Sequence, residues 1–344
     1  MLLINRTPLH VAIVPNADDD DGVVALLVVA ATFDIGADRL RFSDEQRPLL
    51  LAPDAPLIGD GFLTKAGTSV CATGFVYAAG GSAVRADATL FVGDEQRSVT
   101  AIGPRTWREI SGAGLIPTSP QPFDRIAMTW ENAYGGAVLQ PTRLHKMPGG
   151  EESILPEHPE AFGENTDGKG FYTEAGGAVD APLPELEDPA RPIEKWDDRP
   201  DPVCFAPYPM HGALRLRAVV QGGALDFSRH AYVLSRAAPF TTFGEIAFGT
   251  RVAITGMRPG GKLLAFEVPP PPVVAEVLVG PRHRRLDLYV DSIDIDAEAA
   301  QARVVYRALF SYPLVRYEQR TAHVRTSPDF EKLLPSASGA LLDG

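Results

Sequence analysis

The sequence predicts a mainly β fold: antiparallel sheets forming a β-sandwich or barrel-like body, with a long Pro/Gly-rich irregular insert and little helix. Three observations lead there. Glycine (32) and proline (31) make up close to a fifth of the 344 residues and interrupt almost every run, which excludes long helices. The runs between them are short and rich in β-branched residues, either continuous or alternating with a period of two. No stretch carries apolar residues at helical spacing for the length of a helix. Only Ala297–Ala302, read as a turn, and Pro328–Leu333 come near it.

Taken in order, Val23–Asp34 (VVALLVVAATFD) is a continuous apolar run that follows Asp20-Asp21-Gly22 and reads as a strand covered on both faces. Asp18–Asp21 invites comparison with a calcium loop. Counted from Asn16, however, Asp21 stands where glycine is needed and Leu27 where the bidentate glutamate belongs, so the run reads as a charged hairpin tip. Ala37-Asp38 is a tight turn into Arg39–Phe42. A meander follows: Val70–Tyr77, a turn at Ala79–Ser82, Val84–Val92, a turn at Gly93-Asp94, then Arg97–Ile102. Five further strands are expected at Arg251–Thr255, Lys262–Val268, Val273–Val279, Leu286–Ile295 and Arg303–Leu309. In the fourth, Leu286, Leu288 and Val290 alternate with Asp287, Tyr289 and Asp291, which predicts one wet face.

Residues 140–212 are different: rich in proline and acids, with few apolar runs. Such a composition suits a disordered linker. Against that, Phe162, Phe171, Trp196, Phe205 and Tyr208 offer enough aromatic surface to pin an ordered, irregular excursion, and this second reading is adopted. The expected organisation is an N-terminal β region (1–139), the insert (140–212), a C-terminal β region (213–317) and a tail (318–344), integrated into one fold.

A net charge of −12 repels phosphate backbones and anionic lipid heads, so neither nucleic acid nor membrane insertion is expected. Two cysteines, Cys71 and Cys204, exclude a disulfide scaffold or a four-cysteine zinc site, and they suit a reducing compartment. Residues 1–15 make a poor signal peptide, and the longest apolar run is too short to span a bilayer as a helix. A cytoplasmic location is expected.

Motifs for chemistry are not apparent. The seven histidines include no pair at the spacing that puts two imidazoles on one helix face. Gly67-Thr-Ser69 and Ser111-Gly-Ala-Gly114 lack the strand-then-helix setting of a nucleophile elbow, and Gly168-Lys169-Gly170 lacks the upstream glycine of a phosphate loop. Paired acids such as Glu187/Asp188 and Asp197/Asp198 are common in so acidic a chain and say little. No catalytic residue, cofactor or metal is assigned. The alternative reading is a hydrolase or carbohydrate-active enzyme whose carboxylate site is assembled from distant loops.

Three clusters stand out. In Phe123–Gly136, Ile126, Met128 and Trp130 alternate as on a strand before Tyr134, Gly135 and Gly136. In Asn165–Phe171, paired glycines allow a tight bend before an aromatic anchor. Leu183–Pro200 is extended and proline-clamped, ending in Trp196 and Arg199. Together with Asn5–Pro8, Ala31–Asp34, Asp44–Pro48, Gly103–Trp107 and Pro122–Arg125, these clusters resemble the type VI secretion accessory family known as domain of unknown function 2169, over most of residues 5–315. The resemblance implies a non-catalytic adaptor or chaperone. Its partners would be a toxic effector and the PAAR-tipped spike onto which that effector is loaded. Trp130, Tyr134, Gly135, Gly136, Trp196 and Arg199 are the candidate interaction residues; Trp and Tyr serve both as internal pins and as interface anchors, and Trp130, Tyr134 and Trp196 are read as pins first and anchors second.

Overall fold

A computed structural model describes residues 1–17, 23–37, 40–52, 55–62, 65, 67–138, 144–146, 152–154, 160–162, 165–208, 237–311 and 320–330. The protein is mainly β, as the sequence predicts, and no sheet closes into a barrel among the described residues. The Asp18–Asp21 tip, residues 213–236 of the C-terminal β region and the second half of the Pro328–Leu333 candidate helix lie outside the described residues, and Pro328–Phe330 form a turn.

Val23–Ile35 is the axis of a seven-stranded sheet. It pairs antiparallel with His10–Ala17 on one side and with Gln301–Ser311 on the other. Its uninterrupted apolar character has the expected cause. Ala25, Leu27, Val29, Ala31 and Phe33 enter the main core, whereas Leu26, Val28 and Ala30 face a second cluster with Val14 and Val305. Both faces are dry, so neither can be polar.

The next strands of this sheet are Tyr289–Asp296 and Thr68–Thr73, which run parallel to each other. The sheet is therefore mixed rather than purely antiparallel. The predicted strand Val70–Tyr77 breaks at Gly74, whose φ of 130° lies where an L side chain is strained. Beyond it, Phe75–Tyr77 leaves for a separate pairing with Arg125–Ala127.

A five-stranded antiparallel sheet is built from Leu186–Glu187, Glu95–Ile102, Arg85–Val92, Arg251–Thr255 and Leu264–Glu267, in that order. The four-stranded third sheet runs Leu2–Arg6, Arg320–Thr326, Val273–Val279, Arg282–Leu286, with its first pair parallel. All three sheets contribute to one principal core. They also mix strands from the N-terminal and C-terminal β regions. Part of the predicted tail, Arg320–Thr326, is an internal strand of the third sheet.

The predicted strand Leu286–Ile295 is corrected to two. Leu286 closes the strand Arg282–Leu286 and pairs with Ala275, whereas Tyr289 opens the strand Tyr289–Asp296 and pairs with Arg307. Asp287 and Leu288 carry the chain from one sheet to the other. Leu286, Leu288 and Val290 are all buried, so the alternation continues across the corner and conceals it. Only one short α-helix, Ala175–Ala178, occurs among the described residues.

Candidate functional site

Residues 165–208 of the insert carry little regular secondary structure. Their backbone is held by neighbours rather than by their own ladders. Leu186–Glu187 adds an edge strand to Glu95–Ile102, and just upstream Leu183 N–H donates to the Arg105 carbonyl (3.1 Å). Trp107 N–H donates to the Ala181 carbonyl (3.0 Å), and Asp180 N–H returns a bond to the Trp107 carbonyl (2.8 Å). The Arg105 guanidinium forms a buried ion pair with Glu187, whose second oxygen accepts from Ile193 N–H at 3.1 Å. Burial pushes the Glu187 carboxyl up, and the Arg105 charge pulls it back.

Asn165 joins the second cluster to the first. Its side-chain amide donates to the carbonyls of Trp130 (2.8 Å) and Tyr134 (3.0 Å), while Tyr134-Gly135 pairs in parallel with Lys169-Gly170. Gly135 has φ 148°, and a Cβ there would overlap the Asn165 carbonyl oxygen. This close approach is what the Tyr-Gly-Gly turn provides.

The candidate residues divide by depth. Trp130, Tyr134, Gly135 and Gly136 are buried, so they support a surface rather than form one. Trp130 is not on a strand: the strand ends at Ala127, and Trp130 opens a single 3₁₀ turn, Trp130–Asn132. Its ring stacks on Tyr208 (centroids 4.3 Å) and its indole N–H donates to the Ala206 carbonyl (2.8 Å), which ties the end of the insert to the main core. Tyr134 belongs to a separate cluster with Trp107, Ala178, Leu183 and Ile193, against which Phe162, Phe171, Tyr172 and Trp196 pack.

Trp196 is half-buried and Arg199 exposed. The Arg199 guanidinium lies over the Phe171 ring (5.1 Å to the centroid) and donates to the Tyr172 carbonyl (2.6 Å) and the Asp198 carbonyl (3.0 Å). The Asp198 carboxylate accepts from the N–H groups of Glu194 (2.9 Å) and Lys195 (2.8 Å), fixing the turn that carries Trp196. A shallow depression of about 380 Å³ lies beside it, lined in part by Arg191, Ile193, Lys195 and Arg199. The tertiary structure thus sets Trp196 and Arg199 at one rim with Tyr134 buried beneath them, and places Trp130 in the main core.

Sequence reasoning missed the hairpin Trp107–Ile110/Gly114–Pro117, which holds Trp107 at its root and exposes Ile110 and Ile116. Its signal was Ser111-Gly-Ala-Gly114, weighed as a serine near glycines when it is a turn. The buried carboxylates are each held by a cation: Asp60 by Arg303, Glu187 by Arg105, and Asp291 by both Lys65 (3.0 Å) and Arg307 (2.7 Å). Among the described residues, no group of three or more His, Cys, Asp or Glu side chains is placed to hold a metal ion. Cys71 and Cys204 are both buried and form no disulfide.

Residues 20–307 match the family model described as "Uncharacterized protein conserved in bacteria (DUF2169)". The chain belongs to the DUF2169 family. The match runs from Asp20 to Arg307, so it takes in the axis strand, the whole insert and the first part of the return strand Gln301–Ser311. No curated protein and no solved structure matches this DUF2169 chain. Among its described residues, no helix is long and apolar enough to cross a membrane.

Proposed function

We propose that this DUF2169 protein is a non-catalytic adaptor that holds a type VI secretion effector and promotes its loading onto a PAAR-tipped spike in the cytoplasm. The observation that carries this reading is the rim of the insert. An irregular segment is braced from beneath by aromatic packing and from behind by a buried ion pair, and it presents Trp196 and Arg199 outward. A rim ordered before binding loses less conformational entropy when a partner docks. Trp and Arg are also the side chains that dominate interface energetics. The resemblance set out from the sequence supplies the kind of partner.

The test is co-purification of the tagged full chain with the products of neighbouring genes. An effector should be retained by the wild type, and retention should fall at least about tenfold when Trp196→Ala and Arg199→Ala are combined in a chain that still folds. Deleting the gene should reduce both the level and the export of that effector while other effectors are still delivered. Unchanged export of every effector after deletion would remove the adaptor reading.

A further inference from the structure

The third sheet carries a charge pattern opposite to that of the whole protein. Its inner face is apolar, with Ala275, Val277, Leu286, Ala322 and Val324 in the core. Its outer face carries Arg6, His283, Arg285, His323 and Arg325, with Glu276 the one acid among them. Glu276 is already engaged by Arg325 (3.3 Å) and His283 (3.5 Å), and although burial opposes the shift, these two neighbours, Arg325 first, hold its carboxyl below the usual range. The last strand of the sheet, Arg282–Leu286, adds Arg282 and Arg284 on its other side, and Asp287 follows it. All four residues from Arg282 to Arg285 are exposed, in a chain of net charge −12.

This basic strand is also a sheet edge. Among the described residues it pairs with Val273–Val279 alone. The two are joined by a two-residue turn, Gly280-Pro281, with Gly280 at φ 55°. In such a hairpin the flanking pair, Val279 and Arg282, exchanges both hydrogen bonds. The alternate residues His283 and Arg285 therefore turn their N–H and C=O groups to the outer edge. Charges on an edge strand discourage edge-to-edge pairing between like copies. The same charges attract a strand of opposite sign.

We propose that the edge Arg282–Leu286 is a docking site for an acidic, extended segment of a partner protein, which adds to the third sheet as a fifth strand. Backbone hydrogen bonds to His283 and Arg285 would supply the pairing. The arginines on both sides of the strand would select acids at successive positions of the incoming segment rather than at alternate ones. This surface lies on a different sheet from the Trp196 rim and stands independently of the adaptor reading.

The test uses the full chain and short labelled peptides, with binding followed by fluorescence anisotropy. A peptide with glutamates at successive positions should bind, more weakly as salt is raised; one alternating glutamate and threonine should bind less tightly, and the lysine counterpart should not bind. Reversing Arg282, Arg284 and Arg285 to Glu should weaken binding at least about tenfold. His283→Pro removes an outward N–H and leaves the hairpin's own bonds and all the arginines in place, so it should also abolish binding with an unchanged circular dichroism spectrum. Failure of the wild type to bind the acidic peptide at low salt would overturn the proposal. So would binding that survives both variants, or equal binding of single-stranded DNA that is indifferent to His283→Pro. Loss of effector retention in the Trp196→Ala, Arg199→Ala chain with peptide binding intact would count against neither reading.

Discussion

Arg105 and Glu187 form a buried ion pair that fastens the insert to the five-stranded sheet, and Glu187 extends that hold to Ile193 at the base of the Trp196 turn. Removing one member of a buried pair leaves the other desolvated and uncompensated. Arg105→Met should therefore destabilise the protein by about 3–5 kcal/mol in urea unfolding. The double variant Arg105→Met, Glu187→Leu should recover much of that loss. A loss in the double variant equal to the sum of the two single losses, with Glu187→Leu measured alone, would show that the pair is not coupled.

Gly135→Ala tests the close approach between the first two clusters. The added methyl would overlap the Asn165 carbonyl oxygen, on a backbone whose φ of 148° already disfavours a side chain. A loss of about 2 kcal/mol or more is expected in thermal or urea unfolding. Gly176→Ala, where nothing lies within 4 Å of the added atom, is the control and should change stability little.

Arg303 is a buried, multiply paired cation of the central sheet. It pairs with Asp60 and with Asp294 (2.7 Å), and donates to the Pro48 carbonyl (3.2 Å). Those two carboxylates hold the guanidinium firmly charged, although burial alone would work against it. Arg303→Ala would leave two acids facing one another in a dry site and should cost about 3–5 kcal/mol, read from chemical unfolding. Arg303→Lys should recover part of this, because an ammonium keeps the charge but cannot fork between two carboxylates.

Alkaline titration should resolve two classes of tyrosine. Burial, helped by neighbouring Tyr134, pushes Tyr172 from 10.0 to about 12. Burial also raises Tyr134, Tyr289 and Tyr306. Each phenol is an acid whose folded value is raised. Over the window from 10.0 to about 12, the unfolded chain has released a Tyr172 proton that the folded chain still holds. Stability is therefore unaffected by this group below the window and falls as pH rises through it. Near-ultraviolet absorbance should show only some of the nine tyrosines ionising normally, and the rest ionising together with loss of structure. One simple transition for all nine, with the fold intact, would contradict this.

The sequence alone determined the fold class and the positions of several of the longest strands, because turn chemistry and alternation act between near neighbours. Val23–Ile35 is the clearest case: a strand dry on both faces needs an unbroken apolar run, and no partner need be known to recognise one. The burial of Phe205 and Tyr208 was legible for a related reason, since both are too large to be left in solvent. The Asp44–Pro48 string was legible only as a resemblance. Its Gln46 side chain donates to the Thr32 carbonyl (3.0 Å) and accepts from the Thr32 N–H (2.8 Å), in the manner of a short strand.

Pairing at long range was decided by the tertiary structure. Leu2–Arg6 beside Arg320–Thr326, and Val23–Ile35 beside Gln301–Ser311, are contacts between chain ends that no local pattern encodes. Depth within the candidate site was decided in the same way. Tyr134 and Trp196 are both aromatic residues in distinctive strings, yet packing buries one and leaves the other at the rim. The basic edge was hidden for a third reason: three arginines and a histidine after a Gly-Pro turn carry no apolar alternation. They become a strand because Val273–Val279 supplies the hydrogen bonds, and a charged face because the remaining strands of that sheet turn their own arginines and histidines the same way.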